Sequence, residues 1–446
     1  MLKPFHNPIV LTQIACCAFF FASPLKADES DAGYESIFDG KSLDGWHGRP
    51  HFNPVKLAEM SDEERNQQLQ KWNDEAGQHW SVSNGELIND GNGPYLTTNK
   101  DYTDYELMLE YRTVARADSG IYLKGTPQVQ IWDYTDQGKF KIGSNLGSGG
   151  LWNNSAGAPG KDPSELADKP FGEWNQFKIR QVGARTTVHL NGKQVVDHAT
   201  MENFWDRKSP LFRSGPIQLQ THGGEIRWRN LKVKELSPEE ANAAMQEHGN
   251  SGFEPLFNGK TLEGWQGSVD NYEVVDGAIR CKKGKGGMLL TDKEYGNFVA
   301  RLEFSLPPGG NNGLAIRSPG KGDPAYAAMT ELQVLDSEHP KYAKLDKRQY
   351  HGSSYGMAAA KRGYLRDAGE WNFQEVTVDG NKIKVELNGT VILDTDLNDV
   401  TDFMGGRPHP GKDRERGFFG FAGHNDPVEF RNISIRELPD SAADAK

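Results

Sequence analysis

Late in the chain, six residues run Glu331-Leu332-Gln333-Val334-Leu335-Asp336. In a strand successive side chains point to opposite faces, so Glu331, Gln333 and Leu335 share one face, Leu332 and Val334 turn to the core, and Asp336 falls at the rim. Arg317 closes the preceding run Asn311-Asn312-Gly313-Leu314-Ala315-Ile316, and His424 lies in Gly423-His424-Asn425-Asp426, just before Val428-Glu429-Phe430-Arg431. A carboxylate, an imidazole and two guanidinium groups on one concave face could take a proton, return one and hold a developing negative charge. Two plainer readings stand beside this one. Glu331 and Arg317 could be a cross-strand ion pair, and Arg431-Asn432 could tie the last strand to a loop.

An earlier stretch, Pro127-Gln128-Val129-Gln130-Ile131-Trp132-Asp133, repeats the pattern with different chemistry. Gln128 stands where Glu331 does, and Lys124 replaces Arg317. An amide cannot act as a base. Asp118, Gln130, Asp133 and His222 remain, while Trp132 and Trp152 add faces on which a ring could stack. Trp152 sits among Gly149-Gly150 and Asn153-Asn154, a loop setting that suits a ligand platform. Either this copy only binds, or His222 or Asp133 supplies its base.

The elements that must position these residues are also written twice. Phe38-Asp39-Gly40-Lys41-Ser42-Leu43-Asp44-Gly45-Trp46 returns as Phe257-Asn258-Gly259-Lys260-Thr261-Leu262-Glu263-Gly264-Trp265. Gly172-Glu173-Trp174-Asn175 matches Gly369-Glu370-Trp371-Asn372, Leu190-Asn191-Gly192 matches Leu387-Asn388-Gly389, and Arg229-Asn230 matches Arg431-Asn432. A repeat this long needs a core of its own. Residues 33–236 and 252–438 are therefore read as two domains, and 237–251 as a linker able to form a short helix. Alternating runs at Tyr105–Tyr111 and Phe298–Phe304, with Asn-Gly hairpins, predict all-β, antiparallel two-sheet sandwiches or jelly rolls. The first copy carries an insertion near residues 50–79, where Ser61 and Glu64 form a capping-box pattern. It is expected to cover a sheet edge rather than act as a lid.

Composition narrows the function classes. The 446 residues include Gly 50 and Pro 23 and carry a net charge of -11, with no Lys/Arg run, which argues against a nucleic-acid partner. Lys3 followed by an apolar run from Ile9 to Ala22 reads as a signal peptide over residues 1–27, with cleavage after Ala22 or Ala27. A periplasmic or extracellular protein without stable membrane insertion follows. Cys281 is then the one thiol left, unable to form an intramolecular disulfide. Neither a P-loop nor a Gly-x-Ser-x-Gly elbow occurs. His339, His351 and His409 lack paired ligand spacing; no cofactor is called for, and a divalent cation held by Asp/Asn-rich loops stays open.

The ordered set Phe-Asp-Gly-Lys-x-Leu-x-Gly-Trp, Gly-Ile-Tyr-Leu, Gln-x-x-Asp, Gly-Glu-Trp-Asn, Leu-Asn-Gly and Arg-Asn resembles the 3-keto-disaccharide hydrolase domain family, twice over. The resemblance implies a concanavalin-like jelly roll, export, and a carbohydrate substrate oxidised at C3. A C3 carbonyl acidifies the C2 proton, so a base can remove it, the C1 aglycone can leave, and water can add back across the enone. In such a scheme Glu331 is the base, His424 donates to the departing oxygen or shares the base role, and Arg317 steadies the oxyanion. Gln333, Arg431 and Asn312 would contact substrate in the second copy, and Lys124, Gln128, Gln130, Trp132, Trp152 and Asp118 in the first. The competing readings are a lectin-like binding protein, a cell-envelope scaffold, and an ordinary glycosidase pairing Glu331 with Asp336.

Overall fold

The structure, a computed structural model, describes Met1 and residues 32–439; the expected export segment, residues 1–27, lies outside the described residues apart from Met1. Each repeat folds as two antiparallel sheets. In the first, the larger sheet runs Lys193–Thr200, Arg185–Leu190, Asn175–Val182, Tyr105–Thr113, Ile226–Glu235, Glu86–Asn89, Trp80–Ser83, with Glu35–Ser36 paired to Ile226–Glu235. The smaller runs Trp46–Arg49, Tyr95–Tyr102, Gly215–Leu219, Ser119–Leu123, Thr126–Ile131. The second repeat copies this order, its smaller sheet being Trp265–Gly267, Gly286–Tyr295, Gly417–His424, Asn311–Ser318, Thr330–Leu335.

Period-two alternation produces this layering, because one face of each strand must leave water. Leu107, Leu109, Phe177, Ile121 and Leu219 are buried between the sheets of the first domain; Leu302, Phe304, Leu314, Leu332, Val334, Phe419 and Phe421 fill the second. Both Asn-Gly hairpins adopt the left-handed turn their residues allow, with φ 52° and 81° at Asn191-Gly192 and 48° and 77° at Asn388-Gly389.

The insertion forms helices Pro54–Ala58 and Asp62–His79, the second opened by a Ser61/Glu64 capping box. Only Trp72 and Ala76 of the longer helix are buried. They lie over edge strand Trp46–Arg49, where a Cβ on Gly48 would sit 2.2 Å from the Trp72 carbonyl oxygen. That covers the edge of the smaller sheet against pairing. The turn into the insertion also brings His51 beside Tyr122, Phe204 and Trp205.

Between the repeats, Ser237 and Glu240 close a second capping box on helix Pro238–Glu247. Its Ala241 and Met245 pack with Val182 and Phe373, one from each repeat. The Asn388-Gly389 turn rests on Gly183, whose added Cβ would lie 2.2 Å from the Asn388 carbonyl oxygen. Ala184 N–H donates to the Gly389 oxygen at 3.0 Å, and Arg185 grips buried Glu386 with two donors.

Candidate active site

In the second domain, the face of the smaller sheet turned from the core carries Glu331, only 2% exposed. Its Oε1 accepts from His424 Nε2 at 3.1 Å and from Gln333 Nε2 at 3.3 Å. The strands bearing Glu331 and His424 flank Asn311–Ser318, so the carboxylate must lean across a neighbour. Gly313 permits this. A Cβ there would lie 2.1 Å from Glu331 Oε1. A carboxylate only accepts, so the proton sits on His424 Nε2. The hydrogen bond to Glu331 raises the His424 pKa above the ordinary imidazole value against the opposing effect of burial, with Asp323 and Asp426 adding to the rise. His424 itself is 44% exposed, at the mouth of the site.

Three residues that strand periodicity did not single out complete this face. Tyr355 N–H donates to the Glu331 carbonyl oxygen at 3.0 Å, and its hydroxyl accepts from Gln349 Nε2 at 3.3 Å. Burial, with Tyr326, Glu331 and Asp323 nearby, raises its pKa and keeps it a donor. Asn311 buries an Oδ1 with no hydrogen-bond partner. Asp323 belongs to the exposed turn before Pro324–Ala327. Tyr355 lies in an irregular loop and Asp323 in a turn, so alternation carries no signal for them.

The equivalent face of the first domain is wired differently. Gln128 donates to Gln130, Gln130 Nε2 donates to Asp118 Oδ1 at 2.8 Å, and Asp118 Oδ2 pairs with Lys139 Nζ at 2.7 Å and His222 Nδ1 at 3.1 Å. Burial would raise the Asp118 pKa, but the hydrogen bonds and charges of His222 and Lys139 outweigh it and hold it low; Asp118 in turn raises His222. The carboxylate has moved from the outer strand to the entrance of its neighbour, where the second domain has Asn311. Registers align Tyr122 with Ala315, Gln218 with Gly420, Gln220 with Ala422 and Tyr95 with Met288. Large polar side chains thus fill in the first domain a floor that is mainly small in the second.

Several expected site residues are elsewhere. Arg317 does not reach Glu331. At φ 50° its buried side chain turns away, donating to the carbonyl oxygens of Gly296, Gly380 and Arg414 and to Asn297 Oδ1. Lys124, at φ 54°, does the same work through Gly183 O, and burial pulls its pKa down to about 8. Arg431 lies on the larger sheet, paired with Glu303 and stacked 3.9 Å over Trp371, as Arg229 pairs with Glu110 over Trp174. Asn312 faces inward, its Oδ1 accepting from Gly313 N–H.

The carboxylates of Asp336 and Asp133 clasp the neighbouring loops. They accept from Gly309 N–H and Arg116 N–H, each at 2.7 Å, and Asp133 also takes Thr135. Trp132 is buried edge-on against Trp152 at 5.1 Å, and Lys161 lies 4.2 Å over the Trp152 ring, so that ring is partly taken. Burial pushes the Cys281 thiol up, away from reactivity. Among the described residues, no group of three or more His, Cys, Asp or Glu side chains could hold a metal ion, and no helix is long and apolar enough to cross a membrane.

The family described as 3-keto-alpha-glucoside-1,2-lyase-like domain matches residues 33–234 and again 252–436. A 3-keto-disaccharide hydrolase of Bacteroides thetaiotaomicron is 27% identical, spanning 42% of this chain and 79% of that protein. Two crystal structures from Parabacteroides distasonis, each provisionally named a glycosyl hydrolase, are 28% and 26% identical. They cover 42% and 44% of this chain and 99% and 97% of their own, with TM-scores of 0.37 and 0.38.

Proposed function

We propose, from the premise that this chain belongs to the 3-keto-alpha-glucoside-1,2-lyase-like domain family, that it is an exported carbohydrate-active enzyme cleaving 3-keto-glycosides or 3-keto-disaccharides in its second domain. The observation that carries this reading is the Glu331–His424 pair. Glu331, buried and hydrogen-bonded by His424 and Gln333, takes the C2 proton that the C3 carbonyl has made acidic. His424, whose pKa Glu331 raises and whose side chain is open to solvent, gives a proton to the departing C1 oxygen. The Tyr355 hydroxyl, kept protonated by burial, faces the charge that develops on the C3 oxygen, the task first expected of Arg317. Water then adds across the enone, and the net result is hydrolysis. A binding-only role is favoured for the depth of the first domain by Gln128, which has no basic lone pair to offer.

The test is turnover of 3-keto-trehalose or a 3-keto-glucoside by the purified protein, with and without chelator, beside the unoxidised sugar. The keto compound should be cleaved, the plain sugar left intact, and deuterium at C2 should slow the reaction or wash into solvent. Rapid cleavage of the unoxidised disaccharide without an isotope effect at C2 would overturn the elimination route.

A further inference from the structure

Tyr355 and Gln349 differ between the repeats as a pair. Gly352 N–H donates to the Gln333 carbonyl oxygen at 2.8 Å and Gln333 N–H to the Ser353 oxygen at 3.1 Å; in the first domain Gly149, Gln130 and Gly150 make the same two bonds at 2.8 and 2.9 Å. The two loops are therefore in register, which sets Trp152 against Tyr355 and Leu146 against Gln349. The copy with the buried Glu331 has a phenol and an amide where the copy with Gln128 has an indole and an isobutyl group. Gln349 closes the short helical turn Lys347–Gln349, and its Oε1 accepts from the Asp346 N–H at 3.2 Å. A backbone N–H only donates, so the other end of that amide must be its amino group, which donates to the Tyr355 oxygen at 3.3 Å. Gly356 N–H donates to the Arg348 oxygen at 3.1 Å and keeps the turn beside Tyr355. The phenol oxygen is thus an acceptor toward Gln349. Among the described residues, none takes the hydroxyl's own proton.

We propose, resting on the elimination reading, that Gln349 is a positioning residue, which turns the Tyr355 hydroxyl so that its hydrogen points into the site, toward the oxyanion that forms at C3. As Glu331 takes the C2 proton, the C–H electron pair becomes the C2–C3 double bond and the carbonyl pair moves onto the oxygen. Tyr355 gives that oxygen a hydrogen bond and keeps its proton, so nothing is transferred through Gln349. An amide suits this task because it offers the phenol a donor and the turn an acceptor at once. A carboxylate in its place would still serve the turn but would draw the phenol's hydrogen to itself.

The full chain and its Gln349→Glu, Gln349→Met and Tyr355→Phe variants, with the Gln349→Glu/Tyr355→Phe double variant, are given a 3-keto-glycoside. Tyr355→Phe should lower kcat for aglycone release about 100-fold with KM little changed, the cost of one oxyanion donor. Gln349→Glu should lose as much at about pH 8, and less as pH falls toward the carboxyl's own range, where a protonated carboxyl donates again. Gln349→Met should lose only a few-fold, with no such pH trend. A purely structural role would reverse that order, because methionine breaks the turn's cap and glutamate keeps it. Gln349→Glu at the parent rate, Gln349→Met as the slower of the two, or a further loss when Gln349→Glu is added to Tyr355→Phe would overturn the proposal. The Cζ carbon resonance of Tyr355, assigned by its loss in Tyr355→Phe, reads the same hydrogen bond without turnover and should move toward the phenolate position in Gln349→Glu. If the keto-glycoside is inert and that resonance still moves, the elimination reading falls and the orienting amide stands. If the resonance does not move, the orienting amide falls whatever the turnover.

Discussion

The two domains share one frame, and they differ in which carboxylate their smaller sheets set against a shared imidazole. The repeated Arg-Asn and Gly-Glu-Trp-Asn landmarks become Arg229 stacked over Trp174 and Arg431 over Trp371, on the larger sheets and away from the chemistry. The repeated asparagines bond each other, Asn191 to Asn175 at 2.8 Å and Asn388 to Asn372 at 2.9 Å. On the smaller sheets the domains part company. Ala315, Gly420 and Ala422 in the second domain become Tyr122, Gln218 and Gln220 in the first, and the carboxylate that holds the imidazole moves from Glu331 to Asp118. Both sites keep the imidazole and the amide beside it, His424 with Gln333 and His222 with Gln130, and differ in the carboxylate those groups meet.

The most damaging way to test that contrast is Glu331→Gln, which writes the first domain's amide into the second. Release of aglycone from a 3-keto-glycoside should fall about 1000-fold, within the range for loss of a general base, while the melting temperature changes little. A rate within a few-fold of the parent would show that the two sheets do not divide as described. Gly313→Ala should come next. Its methyl group would collide with Glu331 Oε1 at 2.1 Å and lift the carboxylate from His424, whereas the nearest contacts in Gly120→Ala are 3.0 Å. We expect about a 100-fold loss of aglycone release in the first variant and near-parent release in the second, since a misplaced base loses most of its alignment.

A third test compares the two Asn-Gly turns. Gly389→Ala would drive a Cβ to 2.3 Å from the Val182 carbonyl oxygen, while Gly192→Ala meets nothing within 4 Å. Both have positive φ, so both lose about 1 kcal/mol to backbone strain, and only Gly389→Ala should lose about 2 kcal/mol more through the domain junction. Urea melts should resolve the difference, and limited proteolysis should reach helix Pro238–Glu247 sooner in Gly389→Ala. Equal melts would mean the turn carries no load between the domains.

The smallest effects are in titration. The pKa of His424 is raised by Glu331, and that of His222 by Asp118, relative to the unfolded chain. Each pair therefore supports the fold below the ordinary imidazole pKa and loses that support as pH rises through the raised value. NMR titration should show Glu331→Gln lowering His424 and leaving His222 in place, with Asp118→Asn doing the converse. A shift of both imidazoles in either variant would mean that the two sites are coupled.

Much of this was legible before any coordinates. The alternation of Glu331-Leu332-Gln333-Val334 sends every second residue to the core, and left-handed Asn-Gly pairs close the hairpins, so the sandwich and the facing of Glu331 follow from local geometry. The Ser61/Glu64 capping box is likewise local. His424, singled out in Gly423-His424-Asn425-Asp426 just before the last strand, does lie beside Glu331. What failed were the long cations and the strand-end acids. Arg317 and Lys124 end their strands at positive φ, which swings each side chain off the face that alternation assigns it, and Asp133 and Asp336 are drawn to unpaired N–H groups of the preceding loop.

The amino-acid sequence by itself determined the layers, the turns and that Glu331 of one copy is Gln128 in the other, since these are read from neighbours a few residues apart. Only the tertiary structure decided that Glu331 lies across Gly313 to reach His424, that Gln130, Lys139 and His222 converge on Asp118, and that one Asn-Gly turn is clamped while its twin is free. Those outcomes turn on distances of two to three ångströms between strands and loops far apart in the chain. No pattern along a single strand contains them, because the side chain's reach is set by what the facing strand leaves empty.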